Sequence, residues 1–276
     1  MTAELQIILP AHNEGAFIGE CLHSILAQDY AGPVRVVVVA NGCDDDTAAR
    51  AHAFTPDFAA KGWALQVEEI AQGGKILALN HGDRVAGVGP RIYLDADIRI
   101  GDGLLAGIAR ALDGQGARYA GGRLQVTRSP SPVSRLYARF WQRLPFNTSG
   151  VTGAGLFAVN EAGRARWGEF PDIISDDTFV RLHFTQDERV LVEGAYHWPI
   201  AEGFSRLVRV RRRQDNGVAE IASTYPELLV NEGHVRPGRG ELLRLAFRDP
   251  AGFFVYALVA VAVRTGRNDE SWARGR

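Results

Sequence analysis

Residues 5–25 decide the fold class of this chain and read LQIILPAHNEGAFIGECLHSI. The apolar run Leu5 to Leu9 has the length and the β-branched content of a buried strand. After a short polar turn, apolar residues recur at helical spacing from Phe17 to Ile25, and Asn13 is predicted to cap that helix. A strand, a turn and an amphipathic helix in this order form the repeating unit of a parallel α/β sheet.

The same unit recurs along the first half of the chain. A further helix is predicted to begin near Lys75, and no strand pattern follows Gly203. Three more strands are predicted in the first half of the chain: Val34–Ala40, Leu65–Ile70 and Arg91–Leu94. Later segments predict a helix over Val133–Leu144, a strand over Val151–Val159, a helix over Ser175–Phe184 and a strand over Val190–His197. We therefore expect an α/β fold with a Rossmann-like, mixed but mainly parallel central sheet flanked by helices, and a helical C-terminal extension.

Composition restricts the functional classes. The 276 residues carry a net charge of −1, so general binding to nucleic acid is not expected. Only two cysteines are present, which suits a reducing compartment, and we expect a cytoplasmic protein without a signal peptide. The apolar stretch Ala251–Val263 is too short to cross a bilayer. Within it, Phe253–Val263 is predicted to form a buried helix that closes the domain, with membrane docking or a dimer contact as alternatives.

A pair of acids at a predicted strand end is the most informative motif. Asp95 and Asp97 directly follow the strand Arg91–Leu94, and two such carboxylates can hold Mg²⁺ or Mn²⁺ against a diphosphate. A solvated turn is the alternative explanation for this motif taken alone. The turn Pro10–Glu14 has neither the glycine fingerprint of a dehydrogenase nor a phosphate-binding loop. The motif therefore favours a metal-assisted nucleotide site of another type.

With these motifs in view, the chain resembles the family 2 glycosyltransferases of the GT-A fold. Five segments carry the resemblance, in a single order: Pro10–Glu14, Asn41–Thr47, Gly74–Asn80, Asp95–Asp97 and Ser175–Thr178. The resemblance covers residues 5 to about 185 well. It implies a nucleotide-sugar-binding half in residues 1–126, an acceptor and catalytic half of the same domain in residues 127–203, and a helical C-terminal extension in residues 204–276.

The resemblance also implies a role for each matching residue. The nucleoside pocket would be lined by Pro10, His12, Glu14 and Asn41, where Asn41 replaces the family's usual aspartate. Lys75 would approach the base or the diphosphate. Asp95 would lie near the ribose and the metal, and Asp97 would bind the metal through a DXD motif. Asp177 is predicted as the general base and Asp176 as a residue that orients the base or the acceptor. Phosphate or acceptor contacts are expected from Gly153, Arg212 and Arg213.

The expected function is transfer of a single sugar from a nucleotide diphosphate sugar to a hydroxyl acceptor with inversion. The resemblance suggests a metal-dependent, hexosyltransferase-type enzyme of cell-surface polysaccharide or glycolipid synthesis, acting on an acceptor that includes lipid-linked sugars. Polymer synthesis is disfavoured because Gln214 follows the arginine run without a tryptophan. Peripheral contact with the inner face of the membrane is expected from the C-terminal region. Two alternatives stay open: a sugar nucleotidyltransferase, and a non-catalytic transferase-like module that docks on a membrane.

Overall fold

A computed structural model of the chain describes residues 3–148, 150–233 and 237–265. Eight strands lie in these ranges: β1 (Leu5–Ala11), β2 (Val34–Asn41), β3 (Ala64–Ile70), β4 (Arg91–Leu94), β5 (Arg99–Ile100), β6 (Tyr119–Val126), β7 (Leu156–Val159) and β8 (Arg189–Trp198). The first helices are α1 (Ile18–Leu26), α2 (Thr47–His52), α3 (Thr55–Ala60), α4 (Lys75–Val85), α5 (Leu104–Ala111) and α6 (Pro132–Trp141). They are followed by α7 (Pro145–Thr148), α8 (Glu161–Arg164), α9 (Asp176–Leu182), α10 (Phe204–Thr224), α11 (Arg239–Arg248) and α12 (Pro250–Thr265).

All eight strands form one mixed sheet in the order β3-β2-β1-β4-β7-β6-β8-β5. The first four run parallel, with β1 between β2 and β4. Strand β7 is antiparallel to both β4 and β6, whereas β6 and β8 are parallel. The predicted Rossmann-like, mainly parallel sheet with a helical C-terminal part is therefore confirmed, and the carboxyl ends of β1, β2 and β4 meet at one edge.

Two apolar layers cover the sheet. Along β1 the side chains alternate, so that Ile7 and Leu9 pack in one layer and Ile8 packs in the other. Every residue of β1 is buried, as expected for a central parallel strand with helices on both faces. The rigid layer on each side fixes where the loops at the strand ends begin.

Several element boundaries differ from the sequence prediction. The strand predicted from Val151 begins only at Leu156, because Gly153 and Gly155 take left-handed backbone angles (φ +78° and +74°) that interrupt an extended strand. Asn13 does not cap α1, which begins at Ile18. Instead Asn13 has a φ of +53°, and its side-chain oxygen accepts a hydrogen bond from the Asp44 N–H at 2.7 Å.

Strand β6 is not predicted by the apolar pattern. Gly121 and Gly122 interrupt its sequence, and Arg123 and Gln125 alternate with its later apolar residues. The space explains the glycines: a Cβ on Gly121 would lie 2.5 Å from Val151, and one on Gly122 would lie 2.6 Å from Leu104. Close packing therefore requires glycine at these two positions, and the glycines interrupt the apolar alternation by which a strand is predicted.

The predicted C-terminal helix is present as α12, but it is not buried as expected. Only Gly252 and Val259 are buried along its length. Its inner side packs on α6, where the ring centroids of Phe140 and Phe253 lie 5.6 Å apart. Among the described residues no helix is long and apolar enough to cross a membrane.

Candidate active site

Residues from distant parts of the chain line one cleft at the carboxyl edge of the sheet. Pro10 stands near the end of β1, Asp95 directly follows β4, and Lys75 begins α4. Asp176 and Asp177 begin α9 and reach the same cleft. Four of the five segments that carry the sequence resemblance thus meet at one place.

Lys75 joins two of these segments through ion pairs. Its Nζ lies 2.9 Å from Oδ1 of Asp95 and 3.1 Å from Oδ1 of Asp176. Burial works to lower the pKa of Lys75, but the charges of Asp176 and Asp95 outweigh it and raise that pKa. A lysine at the N-terminus of a helix faces the positive end of the helix dipole, so the two carboxylates also offset an unfavourable position. The ammonium group is therefore a fixed positive charge within the cleft.

Asp176 is buried and only partly satisfied. Its Oδ1 is paired with Lys75, whereas its Oδ2 has no hydrogen-bond partner among the described residues. Burial, with Asp177 and Asp95 nearby, raises the pKa of Asp176 to about 6, against the opposing effect of Lys75. A buried carboxylate oxygen without a partner is costly, and such groups are typical of functional sites.

Asp177 is more accessible than Asp176. It is half-buried, and its Oδ1 accepts a hydrogen bond from the N–H of Thr178 at 2.7 Å. The carboxylate is not among the partners of Lys75, whose nearest acids are Asp95 and Asp176. Of the two acids on α9, Asp177 is therefore the more accessible to a molecule in the cleft.

Gly153 and Gly155 form the wall opposite α4. A Cβ on Gly153 would lie 2.2 Å from the Tyr119 hydroxyl, and one on Gly155 would lie 2.9 Å from Ile98. Because both residues also have positive φ, only glycine fits these positions. The wall is consequently bare backbone, which a ligand can approach closely.

Asp97 and Glu14 lie near the same carboxylates, on the side of α1. Burial first, and then the charges of Asp97, Asp95 and Glu14, raise the pKa of the Cys21 thiol. The Cys21 sulfur lies 3.9 Å from the backbone oxygen of Asp95. The charges of three carboxylates therefore act on one buried thiol near the end of β4.

Comparisons with known proteins identify the family of this chain. The sequence profile described as glycosyl transferase family 2 matches residues 6–165, more than half of the chain. The chain belongs to glycosyl transferase family 2. A curated relative, 4,4'-diaponeurosporenoate glycosyltransferase of Staphylococcus aureus (strain MRSA252), is 26% identical over 196 residues. That match covers 69% of this chain and 49% of the relative, so the chain spans about half the length of this relative.

Two solved structures share the fold of this family 2 member. The mannosyltransferase PcManGT from Pyrobaculum calidifontis, in complex with GDP-Man and Mn²⁺, has a TM-score of 0.57 at 20% identity. The match covers 97% of this chain and 77% of PcManGT. S. aureus TarS 1-349, in complex with UDP-GlcNAc, has a TM-score of 0.50 at 16% identity over 94% of this chain and 81% of TarS. The GT-A fold expected from the sequence is thereby confirmed.

Asn41 is held by the backbone around it in this family 2 chain. Its side-chain nitrogen donates to the Ala11 oxygen at 2.8 Å, and its side-chain oxygen accepts from the Gly74 N–H at 2.8 Å. His12 stands beside it, with Nδ1 2.6 Å from the backbone oxygen of Asn41. An aspartate could not donate to Ala11, so the amide joins the end of β1 to the start of α4 in a way that a carboxylate cannot.

The arginines of α10 have separate positions. Arg212 donates to the backbone oxygen of Ala262 at 3.0 Å, near the C-terminal end of α12. Arg213 lies one turn before Gly217, and a Cβ on Gly217 would be 2.2 Å from the Ser175 hydroxyl. Because residues four apart share a helix face, Arg213 lies on the side of α10 that faces the start of α9.

Sequence reasoning missed the apolar lining of the cleft. Leu79, Tyr93 and Phe157 all line it, and Tyr93 stacks on Phe157 with ring centroids 4.8 Å apart. Tyr93 lies two residues before Asp95, so in an extended chain the two side chains lie on the same side. That spacing is the only feature of the sequence that indicates the position of Tyr93. Tyr119 also escaped notice: its hydroxyl is buried beside Gly153 and has no hydrogen-bond partner among the described residues.

The oxygen ligands at this edge suit a divalent cation that is shared with a phosphate. No group of three or more histidine, cysteine, aspartate or glutamate side chains in the described ranges is arranged to hold a metal by itself. Asp95 is paired with Lys75, and Asp97 follows it by two residues. Mg²⁺ and similar ions are commonly bound by one or two carboxylates together with substrate phosphates, so the residues present fit such an ion.

Proposed function

We propose that this protein is an inverting glycosyltransferase that moves one sugar from a nucleotide diphosphate sugar to a hydroxyl acceptor. The observation that carries the proposal is the convergence of Lys75, Asp95, Asp176 and Asp177 on one cleft at the carboxyl edge of the sheet. Family membership supports the reaction class. The substrates named for PcManGT and TarS, GDP-Man and UDP-GlcNAc, support donors of the hexosyl type.

The donor would occupy the region between β1, β2 and β4. Pro10, His12, Glu14 and Asn41 would surround the nucleoside, with Asp95 near the ribose. Asp97 would hold Mn²⁺ or Mg²⁺, and such an ion would supply positive charge to the diphosphate when bound. Lys75 would stabilise negative charge in the same region, and Arg213 is the arginine of α10 best placed to assist it. Arg212, which binds the end of α12, would contribute less.

Transfer needs one base on the acceptor side. Asp177 would take the proton of the acceptor hydroxyl as the hydroxyl oxygen attacks the anomeric carbon. The bond between that carbon and the diphosphate oxygen breaks on the opposite face, so configuration inverts and the nucleoside diphosphate departs. Asp176, fixed by Lys75, would orient Asp177 and the acceptor. The bare backbone at Gly153 would let the acceptor approach closely.

The wider biological role follows from the same reasoning. We expect non-processive transfer in the cytoplasm, to an acceptor of cell-surface polysaccharide or glycolipid synthesis that includes lipid-linked sugars. The match to 4,4'-diaponeurosporenoate glycosyltransferase supports an apolar acceptor class.

A donor-binding screen tests the proposal without knowledge of the acceptor. Sugars of UDP and GDP are added with and without Mn²⁺, and the thermal unfolding midpoint is recorded together with slow release of nucleoside diphosphate to water. We expect at least one donor to raise the midpoint, because a ligand at 100 times its Kd adds about 2.7 kcal/mol of stability. Chelation and Asp97→Asn should both reduce that rise. Absence of any shift with all donors, or release of pyrophosphate from a nucleoside triphosphate and a sugar phosphate, would overturn it.

A further inference from the structure

Helix α12 presents an apolar stripe to solvent in addition to the apolar side that packs on the domain. The outward residues Phe254, Leu258 and Val261 are 62%, 44% and 57% exposed. Their spacing of four and three residues aligns them along one face. The opposite face is already covered, since Phe253 and Tyr256 stack on Phe140 of α6. The exposed stripe is therefore surplus to the packing of the fold.

Helix α11 extends this stripe. Leu243 and Phe247 are 60% and 85% exposed and lie one turn apart, while Leu245 on the other side is buried. Scattered exposed apolar residues need no explanation, but here five large ones occur on two consecutive helices. Together Leu243, Phe247, Phe254, Leu258 and Val261 are called the apolar ridge.

Arginines flank the apolar ridge. Residues 239–265 contain four arginines and two acids, and Arg244, Arg248 and Arg264 are exposed. One of the acids, Asp249, is already neutralised: its side chain is 3% exposed and is paired with Arg139 of α6 and with Arg143 just after that helix. The local charge is thus clearly positive in a protein whose net charge is −1.

A basic pocket lies where the two helices meet. Arg139, Arg143 and Arg248 line it with Asp249, Pro250 and Ala251. Arg139 and Arg143 both pair with Asp249, with the Arg143 Nη1 3.3 Å from Asp249 Oδ2, and Arg248 lines the same pocket. Guanidinium groups bind phosphate oxygens well, and Phe247 directly precedes Arg248 of this pocket.

We infer that the apolar ridge and the basic pocket form a docking surface for an anionic phospholipid bilayer, with lipid phosphate groups at Arg139, Arg143 and Arg248. The ridge would enter the boundary between headgroups and acyl chains, and the arginines would remain at the headgroups. Helix α12 has 16 residues, or about 24 Å, so it lies along the surface and does not span it. A symmetric contact between two copies would bring these arginines against each other, which disfavours self-association.

The docking surface is connected to the cleft through packed aromatic side chains. Trp141 at the end of α6 stacks on Trp198 with ring centroids 5.7 Å apart. The Trp198 ring lies beside Gly155, because a Cβ on Gly155 would be 3.1 Å from Trp198 Cδ1. A bilayer held by α11 and α12 is thus linked to the cleft wall by α6. Bilayer binding itself does not depend on glycosyl transfer.

Vesicle co-sedimentation of the full chain tests the inference. Vesicles of phosphatidylcholine are compared with vesicles that also contain phosphatidylglycerol. We expect binding that requires the anionic lipid and weakens as salt is added. The double variant Phe247→Asp and Phe254→Asp should reduce binding at least about tenfold. Arg244→Gln and Arg248→Gln should each reduce it about fivefold, since a basic residue near an anionic surface contributes about 1 kcal/mol.

A matched control is Val88→Asp, which places the same charge on a residue 81% exposed between α4 and β4. It should bind vesicles like the wild type, and circular dichroism should be unchanged for every variant. Donor release in solution should also be unchanged by Phe247→Asp and Phe254→Asp, which separates this result from the proposed function. Equal binding by the double variant, no binding by the wild type, or a wild-type dimer that Phe247→Asp converts to monomers would overturn the inference.

Discussion

Helix α4 carries a charge cluster at each end, and the two clusters hold a buried carboxylate in different ways. At its C-terminal end, the side chain of Asp83 is 7% exposed and is paired with Arg91 and Arg164. At its N-terminal end, the side chain of Asp176 is 6% exposed and is paired with Lys75 alone. The two acids are equally buried, so burial does not distinguish them.

Hydrogen bonding does distinguish them. Oδ1 of Asp83 accepts a hydrogen bond from the Tyr93 hydroxyl at 2.9 Å, and its Oδ2 accepts from Arg164 Nη2 at 3.0 Å. Oδ2 of Asp176 has no partner within the described ranges. A carboxylate with both oxygens satisfied stabilises a fold, whereas an incompletely satisfied one beside a cleft is available for a ligand. The comparison therefore predicts a structural role for the Asp83 cluster and a functional role for the Asp176 cluster.

The largest expected effect breaks the structural cluster. Asp83→Asn leaves two arginines without their carboxylate and should lower the free energy of unfolding by about 3 kcal/mol, the usual cost of removing one partner of a buried pair. Urea unfolding measures it. The control is Asp46→Asn, which removes an exposed pair with Arg50 and should cost less than about 0.5 kcal/mol. Equal losses in the two variants would contradict the structural role of Asp83.

A smaller effect is expected from the corresponding change in the cleft. Asp176→Asn should reduce release of nucleoside diphosphate about tenfold to a hundredfold, because the base loses its orienting neighbour. The free energy of unfolding should not fall at neutral pH, since a buried, incompletely paired charge is removed. Asp172→Asn, an exposed acid just before α9, serves as the control for activity. A loss of stability without loss of activity would reverse the assignment of the two clusters.

The pH dependence of stability sharpens the comparison further. Because burial raises the pKa of Asp176 to about 6, the folded state binds more protons than the unfolded state between about pH 4 and pH 6. The stability contributed by this group is thus present at low pH and declines as pH rises through that range. Wild-type stability relative to Asp176→Asn should fall by about 1–2 kcal/mol from pH 4 to pH 6. Parallel stability curves for the two proteins would show that the carboxyl group is not perturbed.

Much of the fold was predictable because its parallel half obeys simple periodicity. Strands β1, β2 and β4 are mainly apolar, and the order of the polar segments after them identified the family. Strand β6 was not predictable, because its glycines are required by close contacts with Leu104 and Val151, and only the tertiary structure brings those residues near. The burial of α12 was wrongly predicted because an apolar sequence does not reveal which of its faces is covered.

The site was predictable in its acids and less so in their partners. The spacing of Asp95 and Asp97 indicated an oxygen-rich site. The structure adds that Lys75 links Asp95 to Asp176, which are 81 positions apart in the sequence. No local pattern encodes that contact. Tyr119 was not predicted for a related reason. An aromatic residue in a strand is usually a core residue, and only the tertiary structure places its hydroxyl beside Gly153.

Asp177 is proposed as the base of glycosyl transfer, and a comparison of three proteins tests that role directly. Donor affinity and single-turnover release of nucleoside diphosphate are measured for the wild type, for Asp177→Asn and for the exposed control Asp187→Asn. We expect Asp177→Asn to keep its donor Kd within about twofold while release falls by about 10²–10⁴, as for loss of a general base. Release at the wild-type rate from Asp177→Asn, with the donor bound, would contradict it.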